Sequence, residues 1–273
     1  MPKKVKNKET TDYSEIASRI QPATEHQSHL SALVYGKSGT GKTAFAGTWP
    51  KPLLLIDVRE KGTETIANVP GIDAVRIDKW EEFEQVYWYL VSGKAKYSTV
   101  AIDQISNLQN LLMDKIRKDS GMTETDTLNK RDWGQISGGM QTWLFNYRDL
   151  VDRQMHVLFL AHERSNVTED TIEDQLDPSI TARLMPSLSS VVNGAVSVIG
   201  NTFIRERFIG EEKARIVEYC MRLGPHAYYT TKIRTPVDFE SPDSIVNPSF
   251  EKIAALVKCQ PLKPKKAVKR GAK

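Results

Sequence analysis

The chain has 273 residues, 40% of them hydrophobic and 26% charged, with 16 Gly, 13 Pro and two Cys. This length is enough for one large domain, and the composition excludes collagen-like, disulfide-scaffold and wholly disordered proteins. The formal net charge of +4 is unevenly spread: residues 1–10 carry +3 and residues 258–273 carry +7, which leaves −6 for 11–257.

The sequence predicts no membrane span and no secretory leader. No stretch approaches the run of about 18 uncharged apolar residues that a membrane helix needs. The basic N-terminus has no apolar run behind it. Two Cys are too few for a disulfide or zinc framework, so a reducing, cytoplasmic setting is expected.

Between its basic ends the chain alternates short apolar runs with helical patterns, which predicts an α/β fold with a sheet covered by helices. The predicted strands span 31–35, 53–57, 99–103, 156–161, 195–204, 215–223 and 227–233. Helices are predicted after an N-cap at Asp78, after Asp103, from about Trp133 to Leu150, and over 250–257. Polar segments at 119–132 and 163–185 are predicted loops, the second long enough to be functional.

The most specific motif is GKSGTGKT at residues 36–43, a complete GxxxxGK[ST]. Its glycines let successive backbone N–H groups face a phosphate, and the helix-compatible segment after it adds a positive helix end. Lys42 is placed to reach the β- and γ-phosphates, and Thr43 to ligate Mg²⁺. A chance match in a surface turn is the alternative, but an apolar strand precedes the motif. The predicted nucleoside triphosphate site comprises Gly36, Lys37, Ser38, Gly39, Thr40, Gly41, Lys42 and Thr43.

Two acidic residues end apolar strands, and either fits the Mg²⁺-binding acid of a P-loop protein. We favour Asp103 over Asp57, because the strand beside the P-loop strand usually follows a longer crossover than the short gap before Asp57. A helix-capping role is the alternative for each.

Hydrolysis also needs a base, for which Glu60 is the obvious candidate, while His162 could sense the γ-phosphate. For both, an ordinary polar residue is the competing interpretation.

The order of motifs resembles that of the phage RecA-like nucleotide-binding proteins, minimal relatives of the RecA recombinase core that act as ATP-dependent single-strand annealing or recombination factors. The resemblance rests on the P-loop, LLLID-x-x-E, TVAID, RDWG, VLFLAHE and TKIRTP, over about residues 30–235. It implies a RecA-type P-loop NTPase fold with a mainly parallel central sheet, helices on both faces and a β-rich C-terminal part. We expect a basic tail and lead-in over 1–29, one ATPase domain over 30–258 and a basic disordered tail over 259–273.

For the site, the resemblance implies ATP and Mg²⁺ as ligands and Asp103 as the Walker B acid. RecA-like proteins carry the catalytic Glu two residues after the acid that ends the second core strand. Here Arg59 occupies that place, and Glu60 comes one residue later. His162 falls where recombinases carry a polar γ-phosphate sensor.

The resemblance also implies partners. Lys232 and Arg234 match a late basic pair that reaches into a neighbour's ATP site, so a ring or filament is expected; a charged strand edge is the alternative. The loops at 119–132 and 163–185 match two DNA-facing loops, which makes single-stranded DNA the expected substrate and a single-strand-binding or replication protein a candidate partner. The expected phosphate-contacting residues are Lys130, Arg131, Arg164 and Arg183.

Other features of these segments point in different directions. Trp133 could stack on a base, but we slightly favour a core position at a helix start. The loop at 163–185 also carries acidic residues that would repel phosphate: Glu169, Asp170, Glu173, Asp174 and Asp177. The basic tails are either phosphate-binding arms or solubilising segments.

We therefore expect an enzyme, a DNA-stimulated ATPase acting on single-stranded DNA in phage recombination, annealing or repair, in the host cytoplasm if phage-encoded. A P-loop small-molecule kinase is one alternative, although no Arg-rich lid is visible. A nucleotide-switched binding module without steady hydrolysis is the other, and the displacement of Glu60 by Arg59 favours it.

Overall fold

The computed structural model describes residues 13–20, 29–165, 180–209, 214–235 and 238–258. The basic segments 1–10 and 259–273 lie outside these ranges, as do Glu169, Asp170, Glu173, Asp174 and Asp177 of the predicted loop at 163–185. The helices are α1 (Ser14–Arg19), α2 (Lys42–Ala46), α3 (Trp80–Val91), α4 (Ile105–Asp119), α5 (Lys130–Arg148), α6 (Pro186–Ala195) and α7 (Phe250–Val257), with 3-10 turns at Thr63–Ile66 and Asp149–Arg153. The strands are β1 (Ser31–Gly36), β2 (Leu53–Val58), β3 (Ile72–Ile77), β4 (Thr99–Asp103), β5 (His156–Ala161), β6 (Glu163–Ser165), β7 (Ile180–Ala182), β8 (Val198–Ile209), β9 (Ala214–Arg222), β10 (Lys232–Ile233) and β11 (Ser244–Val246).

One nine-stranded sheet forms the centre of the fold. Its order is β11–β9–β8–β1–β5–β4–β2–β3, with β10 beside β8. The six strands from β8 to β3 pair in parallel. The strands β9, β10 and β11 are antiparallel to their neighbours, and β6 and β7 form a separate antiparallel ribbon. The expected mainly parallel sheet with a β-rich C-terminal part is confirmed.

Helices cover both faces of the sheet, which explains why its central strands carry apolar side chains on both faces. In β1, Leu33 and Tyr35 face the cluster formed with α3, α4, α5 and α6. Ala32 and Val34 face the opposite cluster, where α2 and α7 pack. A strand that is buried on both faces has apolar residues at successive positions. Such runs predicted β1, β2, β4 and β5 from the sequence.

Two helices begin at places that the sequence analysis did not predict. The helix predicted from Asp78 begins at Trp80, because the Glu82 carboxylate accepts hydrogen bonds from the backbone N–H groups of Asp78 and Lys79. The helix predicted from about Trp133 begins at Lys130, because the Asn129 side chain caps it. The predicted loop at 119–132 therefore ends earlier, and Lys130 lies in the first helical turn.

The sequence analysis missed short or edge elements. The strand β3 lies at the sheet edge, where exposed polar side chains hide the apolar pattern. The helix α6 opens with a Pro at its first turn and occupies the start of the strand predicted at 195–204, which begins only at Val198. Of the strand predicted at 227–233, only Lys232–Ile233 pairs as a strand. Among the described helices, none is long and apolar enough to cross a membrane.

A half-buried histidine connects the start of β5 to the residue before β1, at the end of the sheet opposite the P-loop. His156 Nδ1 accepts a hydrogen bond from the backbone N–H of Leu30 at 2.9 Å. Its ring packs against Trp49, Phe250 and His29. Burial lowers the pKa of His156 from 6.5 to about 4. The folded chain therefore holds this imidazole neutral as the acceptor that the Leu30 amide needs.

Acid should therefore weaken the fold through His156. Because the pKa is lower in the folded chain, the stabilisation is complete above pH 6.5 and is lost as the pH falls towards 4. We expect the free energy of unfolding to drop by about 2 kcal/mol from this group between pH 7 and pH 5. Urea unfolding of the wild type and of His156→Gln should show a smaller drop in the variant. Replacing the exposed His226 by Gln is the control, and an equal change there would refute the assignment.

Candidate functional site

The P-loop follows β1 and enters α2 with its lysine folded back onto the loop. Gly39 and Gly41 have φ values of 79° and 86°, which favour glycine. Lys42 is buried, and its Nζ donates hydrogen bonds to the carbonyl oxygens of Gly36 and Lys37, each at 2.9 Å. Burial lowers the pKa of Lys42, opposed by nearby carboxylates. A side chain at Gly36 would collide with Thr202 on β8, whose Oγ1 lies 2.3 Å from the Cβ position.

The end of β4 supplies the acid nearest to the P-loop threonine. Thr43 Oγ1 donates a hydrogen bond to Asp103 Oδ2 at 2.7 Å. Burial raises the pKa of Asp103 to about 6, although the Thr43 hydrogen bond opposes the shift. The strand argument used to choose Asp103 was wrong, because β5 separates β1 from β4 and neither β2 nor β4 pairs with β1.

Asp57, the rival acid, holds the turn that follows β2. Its carboxylate accepts hydrogen bonds from the backbone N–H groups of Glu60 at 2.8 Å and Lys61 at 3.1 Å. Arg59 and Lys61 have positive φ values of 61° and 58°. The Arg59 side chain bonds outward to Asp114, while Glu60 lines the cavity at the P-loop. The turn thus brings the later residue, not Arg59, to the site.

Glu60 is held by a set of polar side chains. Its Oε1 accepts hydrogen bonds from Gln104 Nε2 and, at 2.9 Å, from Asn107 Nδ2. His162 Nε2 lies 3.6 Å from the same oxygen. The pKa of His162 is lowered, chiefly by desolvation and then by the charge of Lys42. The sequence analysis missed Gln104 and Asn107; their signal is a polar residue directly after the strand-ending Asp and an amide three residues later.

Of these groups, Lys42, Thr43, Glu60, Asp103 and His162 line a cavity of about 680 Å³. Further lining residues come from α2 and the segment after it, from β9 and from the segment after β11, and the sequence analysis missed them. They include Phe45, Thr48, Tyr219, Asn247 and Pro248. The Tyr219 ring lies over Gly41, 3.2 Å from its Cβ position, and the backbone N–H of Asn247 bonds to the Tyr219 carbonyl oxygen. The cavity therefore combines charged groups with an aromatic ring that lies over the P-loop.

A second, polar cleft of about 690 Å³ lies beside the first. It brings together Arg164 and Arg183, two of the four predicted phosphate contacts, with Trp133. Amide and hydroxyl side chains complete it: Ser106, Asn107, Gln109 and Asn110. Trp133 is 40% exposed, so the core position favoured for it was wrong. Lys130 and Arg131 are exposed in the first turn of α5 and do not line this cleft.

The late basic pair has partners within its own chain. Lys232 Nζ donates hydrogen bonds to the carbonyl oxygens of Asn193 and Gly194, and Arg234 Nη2 donates to that of Gly194 at 2.9 Å. These carbonyls belong to the last turn of α6, which basic side chains commonly cap. A role across a subunit interface stays a prediction for both residues.

The residues at the first cavity fit a magnesium nucleotide. A hydroxyl and a carboxylate oxygen, from Thr43 and Asp103, form the hard donor pair that Mg²⁺ prefers. The loop backbone and Lys42 suit phosphate, and the volume falls within the range of small-ligand sites. Fold and site together define a P-loop NTPase.

The chain belongs to the AAA domain family, whose model matches residues 28–235. This membership supports a nucleotide-binding ATPase. Among solved structures, the chain is similar to the flagellar accessory protein FlaH from Methanocaldococcus jannaschii. The two are 8% identical with a TM-score of 0.44, over 80% of this chain and 84% of that chain. No curated protein sequence matches the chain.

The raised pKa of Asp103 predicts a pH dependence of metal use. The carboxylate must be ionised to hold Mg²⁺, and it is mostly protonated at pH 5 and ionised at pH 8. We expect the gain in ATP affinity caused by Mg²⁺ to be about tenfold smaller at pH 5 than at pH 8. Calorimetry with and without Mg²⁺ measures this gain. Asp103→Asn is the matched control, and an identical pH dependence in that variant would assign the effect to the nucleotide instead.

Tyr219 should bind the nucleobase by stacking. Removing a stacked aromatic ring costs about 1–3 kcal/mol, so Tyr219→Ala should weaken ATP binding by about tenfold or more. Tyr219→Phe should bind like the wild type, and tripolyphosphate, which has no base, should bind both variants normally. Tyr228→Ala removes an exposed tyrosine that does not line the cavity and serves as the control. An equal loss for tripolyphosphate would contradict base stacking.

Proposed function

We propose that this chain hydrolyses ATP and acts on single-stranded DNA during recombination, annealing or repair. The observation that carries the proposal is the position of the polar cleft. The cleft combines the half-exposed indole of Trp133 with Arg164 and Arg183, and it lies beside the cavity that the P-loop lines. Aromatic platforms with cations are the usual means of binding single strands.

At the ATP cavity, Glu60 is proposed as the base that takes a proton from the attacking water. Lys42 would stabilise the negative charge that grows on the transferred phosphoryl group. Bound Mg²⁺ would be held by Thr43 and Asp103 and would neutralise phosphate charge. His162 joins β5 to β6, and its Nε2 lies 3.6 Å from Glu60 Oε1, so it is suited to sense the γ-phosphate.

At the cleft, Arg164 and Arg183 would contact phosphates and Trp133 would stack on a base. Arg164 belongs to β6 and Arg183 follows β7, so both depend on the ribbon that begins directly after His162. The backbone N–H of Arg183 donates a hydrogen bond to the His162 carbonyl oxygen at 2.7 Å. A change at His162 would therefore reach the residues proposed to hold DNA.

A nucleotide-switched module without steady hydrolysis is the second candidate. The observation in its favour is that Glu60 Oε1 already accepts two amide hydrogen bonds. Steady phosphate release distinguishes the two, because a switch needs nucleotide exchange and no turnover.

Phosphate release should rise several-fold when oligo-dT is added, and Lys42→Ala should abolish phosphate release.

Fluorescence anisotropy should show that the double variant Arg164→Ala with Arg183→Ala binds oligo-dT more weakly than the wild type. Two lost phosphate contacts should lower the salt slope of the affinity by about 1.4. Arg148→Ala with Arg153→Ala removes two arginines near the other end of α5 and is the control. Binding that is unchanged in the first double variant would contradict DNA binding in the cleft.

A further inference from the structure

Asn247 lies beside the tyrosine ring that we expect to stack on the nucleobase. The strand β11 pairs with β9 so that Val246 lies opposite Cys220, and the next residue along β11 is brought to Tyr219. The backbone N–H of Asn247 donates a hydrogen bond to the Tyr219 carbonyl oxygen at 2.6 Å. Both residues line the P-loop cavity. A base stacked on Tyr219 would therefore have Asn247 as its neighbour.

The backbone of Asn247 is held on both sides. Its φ of 47° lies in the left-handed region, which Asn tolerates better than most residues. Its carbonyl oxygen accepts a hydrogen bond from Lys252 Nζ at 2.8 Å, while its N–H is bonded to Tyr219. Because both backbone groups are committed, the side chain is what Asn247 can offer to a ligand.

The side-chain amide of Asn247 has its hydrogen-bonding capacity unused. The residue is exposed, and among the described residues the amide has no hydrogen-bond partner. The Thr48 hydroxyl, which lines the same cavity, differs in this respect. It donates to the Phe45 carbonyl oxygen at 2.7 Å and accepts from the Phe250 N–H at 2.9 Å. Asn247 thus places an available donor and acceptor next to the Tyr219 ring.

The chemistry of an amide determines which bases it can accept. Adenine presents an amino donor at the position where guanine presents a carbonyl acceptor. A carboxamide carries one acceptor oxygen and one donor nitrogen, and a half-turn about its Cβ–Cγ bond exchanges their places. An amide that nothing else holds can therefore match either purine. Stacking on an aromatic ring is likewise tolerant of the base, because every base has a π-face.

We propose that Asn247 determines the base specificity of this cavity and makes it accept adenine and guanine nucleotides alike. The amide nitrogen donates to N1 of adenine or to O6 of guanine, and the amide oxygen accepts from N6–H of adenine or from N1–H of guanine. The inference rests on base stacking by Tyr219. It does not depend on hydrolysis or on DNA binding.

The test is calorimetry of the full chain with Mg–ADP and Mg–GDP, which bind without turnover, and with tripolyphosphate, which has no base. A good bidentate contact that fits one base discriminates against another by at least about fivefold. We therefore expect the wild-type affinities for ADP and GDP to differ by less than about fivefold. A larger preference for either nucleotide would overturn the proposal.

Asn247→Asp keeps the shape of the side chain and tolerates a positive φ, but it offers acceptors alone. Guanine presents N–H donors to such a group, whereas N1 of adenine is itself an acceptor. The variant should therefore favour GDP over ADP by about fivefold or more. Asn146→Asp adds the same charge on α5, outside this cavity, and should keep the wild-type ratio. An unchanged ratio in Asn247→Asp, or an equal shift in Asn146→Asp, would overturn the proposal.

Asn247→Gly removes the amide while glycine retains the left-handed backbone. Both nucleotides should bind about three- to tenfold more weakly, as expected for lost hydrogen bonds, and tripolyphosphate should bind normally. This variant decides the question if Asn247→Asp does not fold. An equal loss of tripolyphosphate affinity would assign the effect to the shape of the loop and would overturn the proposal.

Failure of the proposed function gives a different result. Absence of phosphate release or of oligo-dT binding would contradict the ATPase or the DNA site, and the ratio of ADP to GDP affinity would still test Asn247. Failure of both nucleotides to bind the wild type would overturn the role of Asn247 together with the assignment of the cavity.

Discussion

The site depends on one constraint, that four buried parallel strands end at the same edge of the sheet. The strand β1 delivers the P-loop, β2 leads to Glu60, β4 ends in Asp103 and β5 precedes His162. Because β5 lies between β1 and β4, Glu60, Asp103 and His162 line the same cavity as the P-loop. Hydrogen bonds within the sheet fix the strand ends, and contacts within the site, such as those of Asp57 with the turn after β2, place the side chains.

Burial and charge pairing act against each other at this edge. Desolvation raises the pKa of Asp103 and lowers the pKa of Lys42 and of His162, so each charged form is costly without a ligand. In their place the chain supplies internal partners: P-loop carbonyls for Lys42 and a hydroxyl for Asp103. Those internal bonds can be exchanged for bonds to phosphate and metal, which is what a preorganised site requires.

Sequence reasoning succeeded where a local pattern dictates the structure. Continuous apolar runs predicted β1, β2, β4 and β5, and the GxxxxGK[ST] motif lies between a strand and a helix, as expected. It failed where distant residues meet. No local pattern gives the order of strands in a sheet, so Asp103 was chosen with the wrong argument. Tyr219 and Asn107 were missed because tertiary packing brings them near the P-loop from distant parts of the sequence. The turn after β2 brings Glu60 rather than Arg59 to the cavity. It depends on positive φ values at Arg59 and Lys61, which residues of these types do not predict.

The central claim is that Glu60 is the base of an ATPase. The most direct measurement is phosphate release by the wild type and by Glu60→Gln at saturating ATP, with ATP affinity measured by calorimetry. The account predicts that the variant binds ATP as the wild type does. Its rate of phosphate release should be lower by a factor of about 100 or more, as expected for loss of a general base. Equal rates of phosphate release in the two proteins would contradict it.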